Sequence, residues 1–570
     1  MIRRKDHKQH QVGNKNAPKS VKVADPEKWK YYVALVIIVL ISFFVYLPVL
    51  HNGFVWDDYY YINVNPLIHS FNLKEFFSRY VLGNYHPFTI LTLSLEYYFF
   101  GLNATGYHFV NLLLHLMNVI LVFYTVFLLV DKVGVALVAS LLFGIHPMHV
   151  ESVAWAAELK DLLYTFFFLL SYFFYLKYLK NLKTKFYVFA LLLFMVSLLS
   201  KAMAASLPVV LMLTDYFKGR KINKKTIFEK VPFFLLATAF GVVAVIAQKS
   251  SGAISDIEIF TLPQRLVFAA YGFITYLWKL ILPLHLSAFY PYPIKSGGDI
   301  PILYYSYALF FLALAVYVIY SLRFSKKIFF GIGFFTVTVF LVLQLLPVGK
   351  TIMADRYSYL PSIGIFYLAA EGFNLLWNKK PKLITIILLS AFTVFFSVKT
   401  YARCGVWKND MTLWNDVINQ YQTIPYAYYN RGVIFMDANR NTEAINDFSK
   451  AIELKPDYTG AFNNRGALYI YEKKYDRALA DLNRAIELNP NLIEAYNNRG
   501  TIFYNEKRYD EAISNFSKSI ELNAKDAVVF YFKGLAEYYS GKEDDACNDI
   551  KQAKNLGYKP AADFLSQMCE

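Results

Sequence analysis

The sequence predicts an all-α protein in two parts, a polytopic membrane helix bundle followed by a helical-repeat solenoid. Three observations predict it. Apolar residues make up 56% and aromatics 18% of 570 residues, too oily and too long for one ordinary soluble domain. The apolar runs crowd into 31–400, with charge confined to short clusters between them. From 427 onward, a glycine-containing motif returns every 34 residues.

The first 30 residues form a basic tail with Arg3, Arg4, Lys5, Lys8, Lys15, Lys19 and Lys22. No cleavable small-residue site precedes the first apolar run, so that run is expected to stay as an anchor with the tail in the cytosol. Much of the formal net charge of +16 lies in this tail and in loop clusters. It reads as a topology signal, and nucleic acid is not an expected partner.

A membrane helix needs roughly 20 apolar residues, and about twelve candidate runs fit within 31–400 by that measure. The Lys- and Arg-rich loops at 177–185, 218–230, 323–327 and 378–382 belong in the cytosol. The loop holding Asp57 and Asp58, the 149–160 and 349–355 loops and everything after 401 then face the other side. An even number of crossings would return the repeats to the cytosol. The run 267–285, with Lys279 and Pro283, is therefore expected to be re-entrant or interfacial, leaving about eleven spans.

Residues 401–426 read as a linker and 427–570 as about four repeats. The units begin "AYYNRGVIF", "AFNNRGALY", "AYNNRGTIF" and "VFYFKGLAE". Gly432, Gly466, Gly500 and Gly534 are each followed twelve residues later by Ala444, Ala478, Ala512 and Ala546, and Pro456 and Pro490 close two units. Small residues at these places let two antiparallel helices pack closely, the pattern of a tetratricopeptide repeat. Such a solenoid presents a concave groove for protein, or serves as a spacer. Asn464, Arg465, Asn498 and Arg499 are the groove candidates. Cys547 and Cys569 would pair if this part is exported; otherwise they are two packed thiols.

Ionisable residues near membrane depth are costly and so point to function. In "FVWDDYYYINVNPLI" the neighbouring carboxylates of Asp57 and Asp58 repel each other, which raises one pKa toward a useful general base. His108, Asn111 and His115 fall on one helical stripe, facing the bundle interior to orient a substrate or stitch helices. "HPMHVESVAWAAELKDLL" supplies His146, His149, Glu151, Lys160 and Asp161. A divalent metal at His-x-x-His with Glu is considered, but the helical H-E-x-x-H pattern is missing, and neither metal nor cofactor is predicted. Lys201, Lys350 and Arg356, beside Tyr357 and Tyr359, complete an outer-face set of cations suited to an anion.

In order along the chain, W-D-D after the first span, G-x-x-x-x-G-Y-H-x-V-N-L-L-L-H, H-P-x-H-x-E-S-V-A-W, L-S-x-F-Y-P, D-R-Y-S-Y-L-P-S and "RCGVWKNDMTLW" resemble the transmembrane and tetratricopeptide-repeat O-mannosyltransferases and their bacterial relatives. The resemblance runs from 31 to 560. It implies the type C glycosyltransferase fold (GT-C) and a sugar, mannose or a similar hexose, carried on polyprenyl or dolichyl phosphate and used on the non-cytosolic face. This sequence has His86 and Leu159 where family members often have Arg, which shifts phosphate handling toward Lys160, Lys201 and Arg356, with His86 as a further possible cation.

No Gly-rich phosphate loop or soluble nucleotide-binding domain appears, so a lipid-linked donor fits. Its leaving group is already a phosphate, needing charge stabilisation rather than a proton, so one carboxylate base suffices. Asp57 is expected to be that base, with Asp58 or Glu151 orienting acceptor or sugar, helped by His108, His146, His149 and Tyr357. Direct attack implies inversion. The acceptor is expected to be a Ser or Thr hydroxyl of an exported polypeptide held by the repeats, in a bacterial cytoplasmic membrane or, alternatively, the endoplasmic reticulum. A lipid or surface-glycan acceptor, and a non-enzymatic membrane scaffold, are the competing readings.

Overall fold

The computed structural model describes residues 28–221, 223–252, 260–293, 299–345, 349, 351–379, 381–523 and 525–569. The basic tail up to residue 27 and Lys350 lie outside the described residues.

Apolar runs free of internal proline fold as helices throughout the first part. Among the described residues, six are long and apolar enough to cross a membrane: Trp29–His51, Ala104–Val130, Ala156–Asn181, Lys224–Ser250, Leu303–Ser321 and Lys382–Trp407. Helices Val133–Ile145 and Pro147–Ala154, bent 54° at His146, make a seventh if taken together. The expectation of about eleven spans is thus corrected downward. The reason is length: Thr184–Ser200, Leu207–Phe217 and Lys326–Val339 have 17, 11 and 14 residues, and at 1.5 Å per residue they fall short of a hydrocarbon layer about 30 Å thick. The 267–285 run is helical only to residue 281, as the end of an unbroken helix, Leu262–Ile281, which is not among the six. Its buried Lys279 turns back at the helix end to donate to the carbonyls of Leu284 and His285 at 3.0 and 2.8 Å.

Helix Ala104–Val130 runs through the middle of the bundle, started by Asn103, whose side chain accepts from Thr105 N–H at 3.2 Å. Its polar stripe is buried, and it stitches: Asn111 donates to Trp155 O at 3.1 Å and Asn118 to Leu162 O at 3.1 Å. Gly144 lets the neighbouring helix approach, since a Cβ there would stand 2.3 Å from Ser42 Oγ. A two-stranded antiparallel pair, Tyr290–Pro291 with Thr351–Met353, brings the L-S-x-F-Y-P stretch alongside the residues that precede Arg356.

Residues 401–426 are not a loose linker. The last membrane helix continues to Cys404, and a further helix, Asp410–Gln420, follows. Trp407 and Trp414 of this segment are buried in the same core as the membrane helices. Four antiparallel helix pairs then run from Pro425–Asp437 to Glu543–Asn555, with Pro560–Met568 closing the described chain. Each pair turns on a left-handed residue, Asn439, Lys473, Lys507 or Gly541. The repeat glycine is a packing requirement, because a Cβ on Gly500 would meet Phe516 at 2.7 Å. Cys547 and Cys569 form a disulfide, and Cys404 is a buried free thiol.

Candidate functional site

The W-D-D loop is held from two directions. Asn52 donates to Cys404 O at 3.1 Å and Gly53 N–H to Lys408 O at 2.9 Å. Trp56 adopts a left-handed φ of 54°. Its N–H donates to Asp410 Oδ1 at 2.8 Å, its indole N–H to Tyr426 Oη at 3.2 Å, and its ring stacks on Trp155 with centroids 4.8 Å apart. This docking fixes the backbone beside the next residue, Asp57.

The two aspartates part company here. Asp58 is fully buried and accepts from Val55 N–H at 2.9 Å and Ala157 N–H at 2.7 Å. Burial pushes its carboxyl up to about 8, against the pull of those two donors. One oxygen closes the loop on Val55 and the other ties it to the 156–158 turn, which corrects its expected role as an orienter of acceptor or sugar. Asp57 is half-buried, and no hydrogen bond reaches its carboxylate among the described residues. Burial raises its pKa, while the charges of Lys160 and Arg356 pull it down and Glu158 adds to the rise.

Lys160, Lys201 and Arg356 come from three distant segments and meet around one carboxylate. Glu158 stands 3.1 Å from Lys160 Nζ, 3.6 Å from Lys201 Nζ and 3.4 Å from Arg356 Nε. Asp161 takes Lys201 at 2.5 Å. Glu151 pairs with the Arg356 guanidinium and accepts from Arg356 N–H at 3.0 Å. Glu151 is therefore occupied in fixing Arg356, a correction to its expected contact with sugar or acceptor. The Tyr357 ring lies 4.8 Å from the Arg356 guanidinium and 5.8 Å from Lys201 Nζ, and Lys160 sits 4.6 Å over Tyr61. Lys201 and Arg356 keep a partly exposed side. Glu158, the hub, stands outside the motifs that mark the other site residues in the sequence; its signal is a charge in "AAELKD" at the edge of an apolar run.

The histidines divide differently from expectation. His86 is buried near Lys160 and Lys201, and burial, aided by those two charges, drives its pKa down to about 3. Burial thus disfavours the charged form that its expected role as a cation for phosphate requires. Its Nε2 has no hydrogen-bond partner among the described residues. His146 and His149 are buried and fully engaged: His146 Nε2 with Leu280 O at 3.2 Å and Nδ1 with Met148 N–H at 3.3 Å, His149 with Phe143 O at 2.9 Å and Ser362 Oγ at 3.1 Å. They hold the break between two helices together, so a substrate-orienting role is not where the structure puts them. His108 Nε2 meets Gly53 O at 3.3 Å and braces the stem of the W-D-D loop.

In the repeats, Arg465 clamps Asp481 with two bonds of 2.8 Å and also donates to Ser449 at 2.9 Å. Arg499 donates to Asn515 and Asn483, both at 2.7 Å. Asn464 donates to Tyr429 Oη at 3.3 Å and Asn498 to Asn463 Oδ1 at 3.0 Å, each across to the preceding repeat. These periodic side chains bind the solenoid to itself.

A family model for the Tetratricopeptide repeat matches residues 425–458, 460–492 and 493–526. A protein O-mannosyl-transferase of Caenorhabditis elegans is 26% identical over 486 residues, covering 80% of this chain and 67% of that protein. Protein O-mannosyl-transferase TMTC3 of Homo sapiens is 25% identical over 471 residues, covering 72% and 50% respectively. Over most of its length, this chain resembles the protein O-mannosyl-transferases. It spans about half the length of the human O-mannosyl-transferase. Among solved structures, MamA of Desulfovibrio magneticus RS-1 aligns at 18% identity over 26% of this chain and 82% of its own, with a TM-score of 0.25.

Chemically, the site joins a carboxylate without a hydrogen-bond donor among the described residues to a group of cations that share their charge with three acids. A group carrying two or more negative oxygens can compete for those cations, because charge-assisted bonds from Arg and Lys favour phosphate.

Proposed function

We propose that the protein is a membrane glycosyltransferase that moves a hexose, mannose or similar, from a polyprenyl- or dolichyl-phosphate donor to a hydroxyl of an exported polypeptide on the non-cytosolic face. The observation that carries this reading is the position of Asp57, whose carboxylate receives no hydrogen bond among the described residues and lies within electrostatic reach of Lys160 and Arg356.

Asp57 takes the proton of the acceptor hydroxyl as its oxygen attacks the anomeric carbon. The bond from that carbon to the phosphate oxygen breaks, and the electron pair leaves with the lipid phosphate, whose charge Arg356, Lys201 and Lys160 receive. One displacement inverts the anomeric centre. Glu151, Glu158 and Asp161 keep the cations in place before the donor arrives, and the polyprenyl tail lies in the bilayer beside the short helices. The repeats bring a polypeptide near the site and raise its effective concentration. The names of the relatives and the repeat match support the choice of a protein acceptor.

The test is transfer from radiolabelled polyprenyl-phosphate mannose in membranes carrying wild-type protein or Asp57→Asn. The expected result is loss of transfer by about 10²-fold or more, the scale of a general base. Turnover of Asp57→Asn at the wild-type rate would exclude this assignment.

A further inference from the structure

Beside the cation cluster lies a cleft of about 210 Å³ walled by Tyr271, Tyr292, Tyr304, Ile352, Tyr421 and Thr423. Its walls come from both parts of the chain. Tyr271 and Tyr304 belong to helices Leu262–Ile281 and Leu303–Ser321, and Ile352 to the strand Thr351–Met353, four residues before Arg356. Tyr421 and Thr423 belong to the segment that enters the first repeat helix, Pro425–Asp437. The cleft adjoins the site through Tyr290, which also lines it and donates to the carboxylate of Asp355, the neighbour of Arg356, at 2.7 Å.

The rings are fixed rather than loose. Tyr271 and Tyr304 stand 4.8 Å apart, and Phe260 and Phe268 back Tyr292 at 5.1 and 5.5 Å. Tyr292 Oη is buried and has no hydrogen-bond partner among the described residues. Aromatic planes with hydroxyl tips suit an extended backbone: the rings pack against proline and other apolar side chains while the hydroxyls meet carbonyls. Sugar recognition is disfavoured, because no lining residue carries a charge or an amide to sort sugar hydroxyls. A polyprenyl tail is disfavoured too, since phenols and Thr423 interrupt any aliphatic wall.

We propose that this cleft seats the acceptor polypeptide in extended form, holding a proline or apolar residue that flanks the modified Ser or Thr. The assignment rests on the transferase reading for its acceptor and on the cleft's own chemistry for its ligand class. Tyr421 and Thr423 stand directly before the first repeat helix, so the repeats supply capture and the tyrosines supply register.

The experiment uses the full chain in detergent or nanodiscs and a photoreactive peptide of alternating Thr, Pro and Val. Labelling is read on Asp57→Asn, so it needs no turnover. The expected result is a cross-link to the 290–293 or 421–423 segment, competed by the unlabelled peptide and abolished by Thr423→Trp, which plugs the cleft from an exposed position. In otherwise wild-type protein, Thr423→Trp and Tyr421→Ala raise the peptide KM by roughly tenfold, the scale of one lost aromatic contact, with donor KM unchanged; Tyr421→Phe, which keeps the ring and loses only the hydroxyl, raises it less than Tyr421→Ala. Absence of peptide labelling at these segments, or labelling there by a photoreactive polyprenyl phosphate instead, overturns the proposal. Either result leaves the transferase reading to be judged by turnover alone.

Discussion

The backbone N–H of Trp56 donates to the carboxylate of Asp410 at 2.8 Å, across 354 residues of sequence. This bond and the indole contact to Tyr426 fix the residue next to Asp57 against the segment that leads into the repeats. The stretch after the last membrane helix is therefore part of the support of the W-D-D loop. A chain ended after residue 404 is expected to lose transfer even to a short peptide, whereas one ended after 458 keeps it and loses mainly transfer to long polypeptides. Asp410→Ala is expected to cost about 1–3 kcal/mol in transition-state stabilisation, measured as kcat/KM on a short acceptor.

Burial raises the Asp57 pKa, and Lys160 and Arg356 oppose the rise. The base works only when ionised, so kcat/KM is expected to fall as pH drops through this raised value, with an acid limb above the ordinary carboxylate range. Removing an opposing charge in Lys160→Met should move that limb to higher pH. The profile of kcat/KM against pH for the two proteins checks this, and a shift to lower pH would refute it.

A raised native pKa also sets a stability sign. The folded state favours the protonated acid, so stability is lost as pH rises through the native pKa, and ionised Asp57 costs stability at neutral pH. Asp57→Asn is expected to melt no lower than wild type at neutral pH while failing to turn over. Asp58→Asn should do the reverse: its amide offers one acceptor where Val55 and Ala157 each need one, a cost of about 1–3 kcal/mol. Thermal unfolding in detergent separates the two variants.

Glu158 touches all three cations. Glu158→Gln leaves buried positive charge uncompensated, at about 3–5 kcal/mol for a broken buried pair. Its melting temperature should fall, and added polyprenyl phosphate should restore more of that loss than in wild type, because the phosphate replaces the missing anion.

Cys547 and Cys569 are bonded to each other. If the repeats lie outside the cytosol, a maleimide probe applied to protein unfolded without reductant should label Cys404 alone, and with reductant all three cysteines. Labelling of all three without reductant would place the repeats in a reducing compartment.

Much of the architecture was legible in local sequence. The 34-residue period, with Gly500 and its counterparts where a Cβ would strike the facing helix, depends on contacts between neighbouring turns of chain. So does the stripe of His108, Asn111 and His115. The span count was less legible, because apolar content does not say whether a run of 11 to 17 residues crosses the membrane or packs short within the bundle.

The sequence by itself determined the helix-forming runs, the repeat period and the presence of acids and bases at helix ends, since these follow from residue type and spacing. Only the tertiary structure decided that Asp58 is tied down while the Asp57 carboxylate receives no hydrogen bond among the described residues, that Glu158 gathers Lys160, Lys201 and Arg356, and that burial disfavours a charged His86. Those properties depend on burial and on partners brought from hundreds of residues away, and the energy of a charge is set by its surroundings in space.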